Sequence, residues 1–324
     1  MLDASSSDVY TVVVATLVCC LTLLGLRNKS ATHKRVVAGD SKLNSFLTTA
    51  LQPLVDRYRP TWWTNGHLQS VLTFLVPQAS ITYRREVLQL HDGGRTSLGW
   101  AIEASGPASK HGKPLQDDSP ILVVLHGLTG CSDAMRSLCA EALAHGYRLV
   151  VFNKRGHGGM PLATPKLQAF GCVEDLSQAI DQIEKTASRL AAGVLVSPGY
   201  DALDLFCRGG IHRVYDFLMT LTLKRFLRSH ETQLASVVDV PRALQVTSIH
   251  EFDEHVFMKM HGYEDLEAYW ARNNPMRAIE SIARPTLCIN AWDDPVCTKQ
   301  GIRYEQFEGN PIKMLIETGA GSHC

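Results

Sequence analysis

The chain has 324 residues, 45% of them hydrophobic, which suffices for one large domain and an N-terminal extension. Its 32 basic and 32 acidic residues cancel, and no Lys/Arg run forms a basic face, so nucleic acid is excluded as a partner class. Nine cysteines are scattered without a Cys-x-x-Cys pair. That pattern fits a reducing compartment and offers no metal or redox motif, so no metal and no organic cofactor is expected.

In chain order, residues 1–8 are a polar tail carrying Asp3 and Asp8. Residues 9–26 are almost wholly apolar and uncharged, just long enough to cross a bilayer as a helix. A cleaved signal peptide is the alternative; a tail without Lys or Arg and no small-x-small site before Arg27 argue against it. Arg27, Lys29, Lys34 and Arg35 follow the span, so a single-pass anchor with the domain on the cytoplasmic side is expected. Residues 27–60 read as a polar connector with a helix over 43–58. The aromatic stretch with Trp62 and Trp63 opens the domain, 61–324, where the two indoles are expected to pack on its edge.

Alternation then predicts a strand over 81–90, a turn at His91-Asp92-Gly93-Gly94 and a return strand over 96–103. Residues 104–119 read as a loop. Apolar runs at 120–125 and 147–153 predict strands buried on both faces, followed by His126-Gly127 and by Lys154-Arg155-Gly156-His157-Gly158-Gly159. Helices are expected over 134–144, closed by His145-Gly146, and over 173–185 on an apolar stripe. Further strands follow at 193–197, 285–290 and 313–316, with a mostly helical insert over about 201–282. Strands alternating with helices predict a mostly parallel α/β sheet flanked by helices, with functional loops at the strands' carboxyl ends.

Three of those loops carry hydrolytic chemistry. In His126-Gly127-Leu128-Thr129-Gly130 the glycines let backbone approach a substrate, so that the Leu128 N–H can face a developing oxyanion; a plain strand-to-helix turn would also favour glycine. Trp292-Asp293-Asp294-Pro295 offers two carboxylates to orient a histidine, although Asp-Asp-Pro forms turns on its own account. His323 follows the flexible Gly319-Ala320-Gly321-Ser322 and is presented as a general base would be, or as a surface histidine. A nucleophile is absent: no Gly-x-Ser-x-Gly occurs anywhere. Ser132 reads as a helix-start residue, and Ser197 precedes Pro198, which supplies no N–H to an elbow.

Taken together, Arg59-Pro60-Thr61-Trp62, Gly66-His67-Leu68-Gln69-Ser70, His91-Asp92-Gly93-Gly94, Leu125-His126-Gly127-Leu128-Thr129-Gly130, Val151-Phe152-Asn153-Lys154-Arg155-Gly156, Phe252-Asp253-Glu254, Gly262-Tyr263 and Asp293-Asp294-Pro295 resemble the AB hydrolase superfamily, specifically its AB hydrolase 4 family. The resemblance runs from about residue 50 to the end. It implies an α/β-hydrolase fold, a membrane anchor, and esterase or lipase action on acyl ester lipids through a Ser-His-Asp triad. It favours Asp294 over Asp293 as the acid, His323 as the base and Leu128 in the oxyanion hole. Similar proteins continue from the helix near Glu184-Lys185 into a strand, a Gly-x-Ser-x-Gly turn and another helix. Here a strand–helix unit of roughly 25–35 residues is missing before Gly193. They also carry a closing helix beyond the histidine, whereas this sequence stops at Cys324. The expectation is therefore an incomplete α/β-hydrolase fold: a carboxylesterase by descent that is inactive or a partial sequence, or alternatively a non-catalytic membrane-anchored binding protein.

Overall fold

A computed structural model describes residues 32–60, 65–72, 79–105, 116–185 and 189–323. The apolar segment 9–26 and the Trp62-Trp63 pair lie outside them; among the described residues no helix is long and apolar enough to cross a membrane. The chain divides into two compact units. One comprises Met1–Val76, Ala191–Asp216 and Ala278–Cys324; the other comprises Pro77–Leu190 and Phe217–Arg277. Each holds its own four-stranded sheet.

In the first unit the sheet order is β1-β8-β7-β6, with β1 (Lys34–Ala38), β6 (Gly193–Val196), β7 (Thr286–Ala291) and β8 (Lys313–Thr318). β6, β7 and β8 run parallel, and β1 closes one side antiparallel to β8. The connector thus contains a strand that its Lys34-Arg35 charges concealed. Those charges suit a sheet edge, where lysine and arginine discourage further pairing, while Val37 is buried. Helix α1 (Lys42–Arg57) follows, its first turn capped by Ser41, whose hydroxyl accepts the Asn44 N–H at 3.0 Å. A short helix, α2 (Gly66–Leu72), comes next.

The second unit orders its sheet β2-β3-β5-β4, from β2 (Ser80–Gln89), β3 (Arg95–Ser105), β4 (Ile121–Leu125) and β5 (Arg148–Asn153). Only β4 and β5 are parallel. Helix α3 (Arg136–Ala144) covers one face, packing Cys139, Ala140 and Leu143 on Ile81, Val124, Leu149 and Val151. Helix α4 (Glu174–Glu184) covers the other, setting Ala179 and Ile183 on Leu98, Val150 and Phe152. The region 197–285 is helical and irregular, with no strand among its described residues.

β4, read as buried on both faces, is not, and β6 is open as well. β5 is sealed on both faces and both edges, but β4 buries only Val124 and leaves Leu125 exposed. β6 leaves Val194, Leu195 and Val196 exposed at 59%, 42% and 49%. Among the described residues each has a hydrogen-bonded neighbour on one side only, β5 for β4 and β7 for β6. An apolar run specifies a central strand, yet its burial depends on neighbours the chain must also encode.

Candidate active site

In the first unit, β7 runs into Trp292-Asp293-Asp294. Trp292 is fixed by three contacts: His33 stacks on its ring at 3.4 Å, the Lys299 ammonium lies 3.2 Å from its centroid, and its Nε1 donates to Glu317 Oε1 at 3.0 Å. Asp294 is 3% exposed. Its Oδ1 accepts the Val296 and Cys297 N–H groups at 2.7 and 2.8 Å, the Asx-type turn its position before Pro295 favours. Its Oδ2 lies 2.9 Å from His323 Nδ1. The histidine is 30% exposed at its side chain, so one ring nitrogen meets a buried carboxylate while the ring still reaches solvent.

The neighbouring carboxylate does a different job. Asp293 Oδ1 accepts the N–H groups of Gly321 and Ser322, each at 2.9 Å, and so ties down the loop that ends in His323. Ser322 sits at φ 59°, a left-handed conformation a serine keeps only when held. Its hydroxyl donates to the Gly66 carbonyl and lies against that of Ser70. Gly66 in turn packs on the Asp293 carbonyl so closely that a Cβ there would stand 2.0 Å from the oxygen. The Gly66-to-Ser70 stretch is therefore part of the acid–histidine assembly, a contact that its local sequence does not announce. His67, whose Nδ1 lies 3.1 Å from Tyr215 Oη, is pushed below the usual imidazole range by burial and by His212.

Cys297 has no sequence signal of its own, being outside any Cys-x-x-Cys pair. Its thiol is buried, and burial with Asp294 alongside raises its pKa. Among the described residues, Asp294, Cys297 and His323 bring a carboxylate oxygen, a sulfur and a ring nitrogen within 4.8 Å of one another.

The oxyanion-type loop belongs to the second unit. His126 is buried; its Nδ1 faces the Gly127 carbonyl at 2.8 Å, and its Nε2 accepts the Lys154 N–H at 3.3 Å. This pattern fits a neutral ring protonated on Nδ1, and burial, then the Lys154 charge, push its pKa down to about 3. His157 packs 5.0 Å from the same ring and is pushed down to about 4, again chiefly by burial. Burial likewise lowers Lys154 to about 8; its Nζ donates to the Gly127 carbonyl at 3.4 Å. The loop beginning at Gly127 is thus clamped from β5, and a side chain at Gly127 would meet open space. Leu128 is half-buried in that loop.

Ser132 opens a 3-10 turn (Ser132–Met135), and its hydroxyl and N–H both donate to Asn153 Oδ1 at 2.9 Å. Arg155, in the glycine-rich run that follows β5, is buried. Its Nε and one NH2 group fork onto Asp175 at 2.6 and 2.7 Å, and it reaches Asp92 Oδ1 at 2.9 Å. That contact explains the Asp92-Gly93-Gly94 turn: a Cβ at Gly94 would stand 2.4 Å from Arg155 Nη1. Burial alone would raise the Asp92 pKa, but bonds from Arg155 and the Gly94 N–H outweigh it and hold it low. Ser197 ends β6 at φ 49°, with its N–H given to the Ile289 carbonyl at 2.9 Å.

Parallel strands alternating with helices, with a glycine loop, an acid turn and a histidine loop at their carboxyl ends, define an α/β-hydrolase fold. No family model matches the chain. It is 30% identical to the Homo sapiens protein ABHD15 over 302 residues, covering 82% of this chain and 63% of that protein. It is 28% identical to Bos taurus phospholipase ABHD3, covering 90% of this chain and 79% of that protein. Among solved structures, a Pyrococcus furiosus esterase aligns at 17% identity and a TM-score of 0.44, over 75% of this chain and 83% of that one. These relatives support membership of the AB hydrolase superfamily. The chain spans less than two thirds of the length of ABHD15.

Proposed function

We propose that this chain descends from serine carboxylesterases of acyl ester lipids, keeps their acid, base and oxyanion loop, and lacks their nucleophile. One observation carries the reading: Asp294 Oδ2 meets His323 Nδ1 at 2.9 Å, with the acid's other oxygen locked by backbone, while no Gly-x-Ser-x-Gly exists to use the pair. In an intact relative the serine would attack the acyl carbon, His323 would take and return its proton, Asp294 would orient the ring, and the Leu128 N–H would hold the oxyanion. Losing a nucleophile costs on the order of 10⁶ in turnover, against about 10²–10³ for one oxyanion donor. Ester hydrolysis by this chain therefore stays near background.

The name of the relative phospholipase ABHD3 supports a lipid ester as the ancestral substrate. The apolar residues 9–26 support a membrane anchor with the domain on the cytoplasmic side, a reading that rests on sequence alone. A second reading, a non-catalytic membrane-bound binding protein, is favoured by the exposed apolar residues of β6, which offer a free edge to another strand. Hydrolysis of short- and medium-chain acyl esters, together with fluorophosphonate labelling, tests the first reading. Background rates without a labelled serine support it, and stoichiometric labelling of one defined serine refutes it.

A further inference from the structure

Cys297 stands three residues beyond Asp294, and its backbone N–H already holds that carboxylate. Its sulfur takes no part in any hydrolytic role described above, yet it is buried against the acid–histidine pair. Asp294, Cys297 and His323 all lie in the same compact unit. We propose that these three side chains form a binding site for a zinc-type divalent cation, with a fourth coordination position open to water or an anionic ligand.

The donor set decides the class of ion. One carboxylate oxygen, one thiolate sulfur and one imidazole nitrogen suit zinc, whereas magnesium and calcium take oxygen donors throughout. Zinc bonds of about 2.0–2.3 Å place neighbouring donors of a tetrahedron roughly 3.3–3.8 Å apart. Donor atoms already within 4.8 Å therefore converge by side-chain rotations of about an ångström, with the 2.9 Å Asp294–His323 contact opening slightly. Geometry around the donors is half-organised. Asp294 Oδ1 is occupied by two backbone N–H groups, while Oδ2 faces His323 Nδ1, and outer contacts of this kind orient ligands in metal sites.

Charge supports the same assignment. A carboxylate and a thiolate sum to minus two, which one divalent cation cancels, so the complex is neutral where Asp294 is 3% exposed. Protons balance as well. Three bonds form, from the metal to oxygen, sulfur and His323 Nδ1. The thiol S–H breaks and its proton leaves to solvent, and the neutral ring moves its own proton from Nδ1 to Nε2. The proposal does not rest on the hydrolase reading, since it needs neither substrate nor nucleophile. It does predict that metal binding and base duty exclude one another, because both use Nδ1 and Oδ2.

The test is a titration of the metal-free full-length chain with Co²⁺, followed by displacement with Zn²⁺. A single cobalt bound per chain, with a thiolate-to-metal charge-transfer band that zinc abolishes, is the expected result. Cys297→Ser removes that band, and His323→Gln weakens binding by at least about 100-fold, since even outer-contact losses cost roughly 10–100-fold. Absence of the band in the wild-type chain, or its survival in Cys297→Ser, overturns the proposal; the latter would assign the signal to another thiol such as the exposed Cys207. Because Cys297→Ser alters a buried site, zinc-dependent melting is compared in the wild type and in His323→Gln, whose side chain reaches solvent. Zinc stabilisation confined to the wild type supports the site, and equal stabilisation of both refutes it. Ester hydrolysis enters none of these readouts, so failure here leaves the functional reading standing, and the reverse holds too.

Discussion

Strands β5 and β6 have nearly the same chemistry and opposite fates. Leu149-Val150-Val151-Phe152 is at most 1% exposed, with a partner strand on each side and helices α3 and α4 on its faces. Val194-Leu195-Val196 has one partner strand and stands 42–59% exposed. Nothing in the local sequence distinguishes the two. The difference teaches that burial is a property of the sheet: among the described residues β5 has a partner strand on each side and β6 on one. β1, at the other margin of its sheet, shows how a true edge is written: Lys34 and Arg35 sit where β6 has only aliphatic side chains.

The sharpest way to break this contrast is to attack the well-finished side. Arg155→Ala leaves the buried Asp175 carboxylate without its forked partner, and a loss of about 3–5 kcal/mol in denaturant unfolding is expected. A loss under 1 kcal/mol would show that the Asp92–Arg155–Asp175 cluster is not what organises that unit.

Acid should find the same unit next. Folded His126 and His157 titrate near about 3 and about 4, against 6.5 when unfolded. Below 6.5 the unfolded chain binds protons that the native rings refuse, so their stabilisation is complete above that pH and drains away as pH falls toward 4 and 3. Roughly 2–3 kcal/mol should be gone by about pH 5.5, read from thermal melts across a pH series. A flat profile between pH 7 and 5 would contradict the neutral, buried assignment of both rings.

Smaller effects probe the other unit. Gly66→Ala forces a methyl to within 2.0 Å of the Asp293 carbonyl, so about 1–3 kcal/mol should be lost and the Asp294–His323 contact disturbed, visible in the His323 ring signals by NMR. Smallest is Val194→Lys. It should change stability by no more than about 0.5 kcal/mol while reducing self-association in light scattering, as expected for a charge placed on a bare edge. A large destabilisation there would mean that β6 is covered in solution.

Much of the site was legible because loops at strand ends carry strong local signals. The choice of Asp294 over Asp293 rested on family spacing, and the geometry gives it a reason: one carboxylate faces the histidine, and the other holds the loop beneath it. What stayed hidden depends on distant partners. Gly66 gives no local sign of its packing until the Asp293 carbonyl is placed against it. Arg155 looks like a loop cation until Asp92 and Asp175, 63 and 20 residues away, close on it. Cys297 looks isolated because its neighbour in space, His323, is far off in sequence.

The direct test of the account is reconstruction. A strand, Gly-x-Ser-x-Gly turn and helix from an intact relative, roughly 25–35 residues, are inserted between Lys185 and Thr186, and acyl-ester hydrolysis is measured. The account predicts serine-dependent turnover that Asp294→Asn or His323→Ala abolishes. A folded reconstruction that stays inert, or that works equally well without Asp294 and His323, would contradict it.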